Sequence, residues 1–155
     1  VVVLNQGNIV QTGTASDLFL TPQDEFVGFF IGSPGMNFLD GKVSDGAVIV
    51  GSTHIGTTQG ATKLTNGNVR VGIRPEFLSI AATGAGLPVK INRVEHRGGY
   101  KLVHADSEQG KFVAKLDNES ALTAGQSVHL AFHPLRTYLF RDSKVCGTVN
   151  VQGKN

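Results

Sequence analysis

The chain has 155 residues, and its 14 Lys and Arg against 12 Asp and Glu give no basic field that would indicate nucleic acid binding. One Cys excludes a disulfide framework and a Cys-based zinc site. No apolar run approaches the roughly 18–20 residues that span a bilayer. The 20 Gly residues favour many short strands joined by turns. Because the chain opens on Val1 without an initiator Met, we expect a piece of a longer protein.

The first dozen residues predict a β-hairpin. A β-branched run, Val1 to Leu4, is followed by the turn residues around Gly7, and strand character resumes over Ile9 to Thr12. A lone hairpin is marginal in water, so it needs further packing partners.

Two helix starts follow the hairpin. Thr14 with Asp17, and Thr21 with Asp24, each place a Thr at the N-cap and an acid three residues later. Pro22 suits the first helical position of the second helix. One apolar face of that helix is predicted from residues at helical spacing: Phe26, Val27, Phe30 and Ile31. The helix is expected to stop at Gly32, with Pro34 blocking continuation.

From Met36 onward, short strands alternate with turns, which predicts a small β-barrel or sandwich. A hairpin is expected across Asp45-Gly46. The predicted strands are 38–43, 47–50, 68–73, 87–95, 101–105, 111–115, 127–132 and 138–140.

The residues that could carry chemistry do not form a catalytic or metal pattern. His129 and His133 lie four residues apart on a predicted strand, about 13 Å, which is too far for one ion. Cys146 lacks an activating His and acid arrangement. The Gly-rich stretch 83–86 lacks the Lys and hydroxyl of a phosphate loop and is interpreted as a flexible loop. We therefore expect no catalytic residue, no bound cofactor and no metal in this chain.

The most information-dense stretch of the body is Arg74-Pro75-Glu76, at a strand end. It is either a structural corner with an exposed ion pair, or a docking corner for another subunit. Both interpretations stay open at this point.

Several motifs resemble one known family over nearly the whole chain. They are VVVLNQGNIVQTGT at the start, FIGSPGMNFL at 30–39, GIRPE at 72–76, and VHLAF with YLF near the end. Together they resemble the C-terminal part of an ATP-binding-cassette (ABC) importer ATPase of the carbohydrate type, the group that includes the maltose and glycerol-phosphate importer ATPases.

The resemblance implies a layout and a mainly β fold. Residues 1–12 correspond to the last hairpin of a truncated nucleotide-binding domain, and 13–35 to a helical connector. Residues 36–155 correspond to an OB-fold-type β-barrel regulatory domain, called TOBE. The parent would use ATP and Mg²⁺, whereas this piece lacks the Walker A, signature, Walker B and switch-His motifs and is expected to be inert.

The resemblance also implies partners and site residues. We expect a homodimer and, in the parent complex, two membrane-spanning permease subunits and a solute-binding protein, at the cytoplasmic face of the inner membrane. In some members of the family a regulatory protein is a further partner. Interface or structural roles are expected at the connector–barrel junction and the corner motif. These residues are Ser33, Pro34, Met36, Asn37, Phe38, Arg74, Pro75 and Glu76.

Two alternatives come from other functional classes. Related barrels bind small ligands, so an oxyanion or sugar-phosphate site is the second hypothesis. Oligonucleotide binding is the third hypothesis, and it requires aromatic side chains on which bases stack and a basic groove. The 7% aromatic content, the absence of Trp and the small net charge argue against nucleic acid.

Overall fold

A computed structural model describes residues 1–59, 64–82 and 84–150 of the chain. Its elements confirm the predicted mainly β class with two short helices. In chain order they are β1 (Val2–Asn5), β2 (Asn8–Thr12), α1 (Ala15–Leu20), α2 (Glu25–Phe30), β3 (Asn37–Ser44), β4 (Ala47–Val50), β5 (Thr53–Gln59), β6 (Gly67–Ile73), the 3₁₀ turn η1 (Pro75–Phe77), β7 (Leu78–Ile80), β8 (Leu87–His96), β9 (Lys101–Ser107), β10 (Gly110–Leu116), β11 (Ser127–Phe132), β12 (Thr137–Arg141) and β13 (Lys144–Asn150).

The N-terminal hairpin and the first helix form where the sequence predicts them. Strands β1 and β2 pair in an antiparallel two-stranded sheet. Thr14 caps α1, with its hydroxyl accepting from the Asp17 N–H at 3.1 Å and the Asp17 carboxylate accepting from the Thr14 N–H at 2.8 Å. The shorter Asp therefore completes the reciprocal capping box that Glu usually forms.

The second helix begins later than predicted, and Thr21 is not its N-cap. Thr21 instead ends α1, where both its N–H and its hydroxyl donate to the Asp17 carbonyl. The cap of α2 is Asp24, whose carboxylate accepts from the Phe26 N–H at 2.8 Å. Residues before the cap are extended, because Gln23 accepts a backbone hydrogen bond from Val145.

The predicted apolar face of α2 is only partly buried. Val27 is fully buried against β1 and α1, and Phe26 and Ile31 are half-buried beside it. Phe30 is 65% exposed, with its ring stacked on that of Phe26 at 5.5 Å. Of the four residues of the predicted face, only Val27 is therefore fully buried.

The body consists of a closed barrel and a second sheet, where the sequence predicts a small β-barrel or sandwich. The barrel has strand order β12-β13-β5-β4-β3-β6 and closes by pairing of β6 with β12. Its β3–β4 hairpin turns at Asp45 and Gly46, both with positive φ, as the Asp-Gly signal predicts. The barrel interior is filled by apolar side chains such as Leu39, Val71 and Leu139.

The second sheet has strand order β10-β9-β8-β11-β7 and is antiparallel throughout. Its inward side chains, including Ile91, Ala105 and Phe112, join the barrel side chains in one continuous hydrophobic core. The two sheets therefore share a core while remaining separate hydrogen-bonded units.

Three strands escaped prediction: β5, β7 and β13. Strand β5 (Thr53–Gln59) contains Gly56 and four Thr or Gln, and β13 contains Gly147 next to the small Cys146, so neither alternates cleanly. Strand β7 has only three residues. Each pairs with a distant segment, β7 with β11 and β5 with β13, although β5 and β13 also pair with the adjacent strands β4 and β12.

Candidate functional site at the connector–barrel junction

The corner residue Arg74 lies inside the molecule, 1% exposed, at the end of β6. The interpretation as an exposed ion pair is therefore wrong. The guanidinium points into the connector, where it donates to the carbonyl oxygens that end both helices. These acceptors are Phe19 O at 2.6 Å, Ile31 O at 2.5 Å, Gly28 O at 3.2 Å and Leu18 O at 3.5 Å.

The Arg74 charge is stabilised by helix ends rather than by a carboxylate. The last carbonyls of a helix lack intrahelical partners and carry partial negative charge, so they suit a cation. The guanidinium also lies 4.0 Å from the centre of the Phe19 ring. Burial lowers the pKa of Arg74, and the charge of Glu76 opposes this. Arginine stays protonated in proteins, so the contact is permanent near neutral pH.

The two residues that follow Arg74 have simpler positions. Pro75 is buried at the first position of η1, where its missing N–H is harmless. Glu76 is half-buried and makes no ion pair with any described residue. An interface role for this motif with another subunit stays a prediction.

The junction residues 33–38 divide into a loop and a buried anchor. Ser33 is exposed, Pro34 is half-buried and follows a cis peptide bond. Met36 is buried between α2 and β6. Its sulfur lies so close to the backbones of Gly28 and Gly72 that a Cβ atom added at these positions would be 3.0 and 2.6 Å from it. The absence of a side chain at both glycines therefore makes room for the thioether.

Aromatic side chains continue the anchor on the barrel side. Phe38 meets Phe140 edge to face with ring centres 5.5 Å apart. Tyr138, 6% exposed, packs in the same cluster with Met36, and its hydroxyl donates to the Leu20 carbonyl at the end of α1. Sequence reasoning missed Tyr138, because its partner lies 118 residues away.

Asn37 joins the barrel to the second sheet. Its amide donates to Ile73 O at 3.2 Å and to Val113 O at 2.9 Å, and its Oδ1 accepts from the Val113 N–H at 2.9 Å. The side chain thus pairs with the backbone of β10 as a strand residue would. Asn37 is 8% exposed, so each of these bonds replaces hydration lost on folding.

The connector is also fixed to the hairpin and to the β12–β13 turn. Gln11, 6% exposed, donates to Thr21 O at 3.0 Å and accepts from the Gln23 N–H at 2.9 Å. Asp24 forms an ion pair with Lys144 at 2.8 Å. A continuous set of hydrogen bonds therefore leads from the hairpin, through the connector, to the barrel and the second sheet.

The described residues contain no group of three or more potential metal ligands. Cys146 is half-buried, and desolvation raises the pKa of its thiol, which disfavours the nucleophilic thiolate. The helices α1 and α2 have six residues each and are too short to cross a bilayer. Among the described residues there is no helix that is long and apolar enough to do so.

The closed barrel and its packed second sheet define an OB-type β protein. The family described as the MalK OB fold domain matches residues 32–78, and the TOBE domain family matches residues 71–140. The two matches include every predicted site residue. They include none of the hairpin, because they begin at residue 32.

Curated relatives extend the similarity over 90% of the chain. It is 36% identical to the sn-glycerol-3-phosphate import ATP-binding protein UgpC 2 of Agrobacterium fabrum, covering 38% of that protein. It is 30% identical to the oligosaccharides import ATP-binding protein MsmX of Bacillus subtilis, covering 42% of it. The UgpC protein of Yersinia pestis is 34% identical, with 40% covered.

Residues 32–78 therefore belong to the MalK OB fold domain family and residues 71–140 to the TOBE domain family, and the chain is similar to ATP-binding subunits of carbohydrate-type ABC importers, as the motifs predict. It spans about two-fifths of the length of these relatives, between 38% and 42% for the two named first. The assignment of residues 1–12, 13–35 and 36–155 to three domains stays a prediction, and residues 151–155 lie outside the described part.

Proposed function

We propose that the chain is the regulatory and dimerisation domain of the ATP-binding subunit of an ABC transporter that imports sugars or glycerol-3-phosphate-like solutes. In this proposal the parent subunit binds ATP and Mg²⁺ and couples ATP hydrolysis to transport. It works with two permease subunits and a solute-binding protein, at the cytoplasmic face of the inner membrane. The similarity to UgpC, an sn-glycerol-3-phosphate import ATP-binding protein, and to MsmX, an oligosaccharides import ATP-binding protein, supports this proposal.

The observation that carries a regulatory role is the Arg74 contact. One buried guanidinium binds the ends of both connector helices, and Gln11 binds the same connector from the hairpin side. A displacement of the hairpin is therefore resisted by side chains that also anchor the barrel. Such a rigid connection suits a domain that transmits a regulatory state to a neighbouring catalytic domain.

ATP turnover by the purified chain tests the non-catalytic part of the proposal. We expect no hydrolysis above the protein-free background with ATP and Mg²⁺. Turnover that persists after further purification would contradict it. A longer parent subunit carrying the nucleotide-binding motifs is the positive control.

A second candidate function, small-ligand binding, is favoured by a cleft of about 700 Å³ between the barrel and the second sheet. Its polar lining includes Thr53, His54, Thr57 and His129, and no Asp, Glu, Lys or Arg is among the described lining residues. Donors without carboxylates suit an oxyanion or a sugar phosphate.

Isothermal titration calorimetry with molybdate, sulfate and sn-glycerol 3-phosphate tests the second candidate. Saturable heat that is lost in His129→Gln supports it, with His96→Gln as the control because His96 is exposed and lies outside this cleft. Flat titrations with all three compounds would remove this function.

A further inference from the structure

The outer face of strands β8 to β10 concentrates positive charge. Register places Lys90 on β8 and Lys111 on β10 both opposite Asp106 on β9, and Arg93 opposite His104. We define the basic face by its five cations and two carboxylates. These residues are Lys90, Arg93, Arg97, Lys111, Lys115, Glu95 and Asp106. The whole chain is nearly balanced, with 14 cations to 12 acids, so the face is selectively cationic.

Glu95 holds two guanidiniums in fixed positions on this face. Its Oε1 lies 2.6 Å from Arg93 Nη2 and 3.1 Å from His104 Nε2, and its Oε2 lies 2.6 Å from Arg97 Nη2. The hydrogen bond from Arg97 is the main cause that lowers the pKa of Glu95, so the carboxylate stays ionised near neutral pH.

Both arginines remain available to a second anion. Their side chains are 64% and 54% exposed. Each contacts the described residues only through Nη2, whereas a guanidinium has five N–H donors. A pre-oriented guanidinium loses less entropy when it binds another carboxylate.

A cleft of about 420 Å³ opens on strands β8, β9 and β10. Its lining includes Arg93, His104, Asp106 and Lys111. Asp106 Oδ2 accepts from Asn92 Nδ2 at 2.5 Å, while the buried Oδ1 accepts no hydrogen bond from any described residue. An occupant that matches the cations of this cleft brings a carboxylate for Arg93 and Lys111.

We propose that the basic face binds an extended acidic segment of a partner protein, with one Asp or Glu side chain in the cleft between Arg93 and Lys111. An extended acidic peptide carries several carboxylates along its length, which suits cations spread over three neighbouring strands. The inference goes beyond the proposed function and rests only on the charges and contacts of β8 to β10.

An anionic membrane fits this face less well than a peptide. Peripheral membrane binding combines basic charge with inserted apolar side chains. The exposed large apolar side chains of the described residues lie at positions 1–9, 29–30, 80 and 135, and none belongs to β8, β9 or β10.

Single-stranded nucleic acid also fits this face less well, because it would need exposed aromatic rings for stacking. Tyr100, the nearest tyrosine, is half-buried, with Lys115 Nζ 4.3 Å from its ring centre.

Fluorescence anisotropy with a labelled peptide of alternating Glu and Ser residues tests the proposal. We expect saturable binding to the full chain that weakens with salt, and no binding of the matching Gln and Ser peptide. The double variant Arg93→Gln/Arg97→Gln should weaken binding by about tenfold or more. The charge-matched control Lys42→Gln/Arg136→Gln, outside the face, should stay within about twofold.

A further variant separates binding from folding. Lys111 forms no ion pair with the described residues, so Lys111→Gln leaves the Glu95 cluster intact and should still weaken peptide binding about threefold or more. Circular dichroism melting verifies that each variant is folded. Equal weakening in the control, no binding of the acidic peptide, or binding to phosphatidylserine vesicles in preference to the peptide would overturn the proposal.

Discussion

Replacing Arg74 by Ala should uncouple the connector helices from the barrel. The substitution removes the donor for the carbonyls of Phe19 and Ile31, at 2.6 and 2.5 Å, and leaves these helix-end oxygens without a partner in a buried site. The ring of Phe19 also loses the guanidinium that lies 4.0 Å from its centre.

The size of the effect follows from these contacts. A hydrogen bond that involves a charged group contributes about 1.5–3 kcal/mol, and a cation–π contact adds about 1 kcal/mol. Burying the guanidinium costs part of this, so the net loss for Arg74→Ala should be about 3–4 kcal/mol in the free energy of unfolding. Arg74→Lys keeps the charge but cannot serve carbonyls on both helices, and it should lose about half as much.

Urea denaturation measures the loss, and hydrogen exchange locates it. With a urea dependence of about 1–3 kcal/mol/M, the midpoint of Arg74→Ala should fall by about 1–4 M. Protection should decrease most in α1 and α2. The control Arg136→Ala removes an arginine near the Phe77 ring, at 5.6 Å, and should cost under about 1 kcal/mol. A loss from Arg74→Ala no larger than the control, or unchanged protection of both helices, would refute the reasoning.

Three further predictions concern other contacts. Asn37→Leu removes two hydrogen bonds to Val113 in the second sheet and one to Ile73 within the barrel, and it should cost about 2–4 kcal/mol by urea denaturation; a cost under about 0.5 kcal/mol would contradict this. The hydrogen bond with Thr14 lowers the pKa of Asp17 below 3.8, so its stabilisation is complete above that pH and lost as pH falls through the folded pKa. An NMR titration should therefore show the Asp17 pKa rising in Thr14→Ala, and an unchanged value would argue against the capping box. Burial raises the pKa of Cys146, so iodoacetamide should modify the folded chain more slowly than the urea-unfolded chain at pH near 8; equal rates would contradict it.

Local signals in the sequence predicted the local structure well. Thr14 with Asp17 produces the capping box, and Asp45-Gly46 produces the hairpin turn, because both depend on neighbours a few residues away. The same kind of signal failed at Thr21, where the capping pattern was outcompeted by the end of α1. Pairing of residues 23–25 with the β12–β13 turn then leaves Asp24 as the cap.

The site itself could be named from motifs but not built from them. The motifs selected Arg74, Met36 and Asn37, yet the acceptors of Arg74 lie 43 to 56 residues away and those of Asn37 36 and 76 residues away. Such contacts exist only once the strands have assembled, so no periodicity encodes them. A charged residue at a strand end is usually exposed, which is why the buried Arg74 was unexpected.

The division of the body into two sheets was also hidden from the sequence. The strands of the barrel have 4 to 8 residues and those of the second sheet 3 to 10, so strand length does not separate them, and their inward side chains share one core. The closed ring of strand pairs includes the β5–β13 pair, which joins two strands without clean alternation. Barrel closure therefore depends on the segments with the weakest local signal.

Dimerisation is the part of the proposed function that a single measurement tests most directly. Sedimentation equilibrium of the purified chain over a wide concentration range reports its association state without any label. A regulatory and dimerisation domain should show a reversible monomer–dimer equilibrium with a twofold increase in mass toward high concentration. A chain that remains monomeric at the highest concentration would contradict this role.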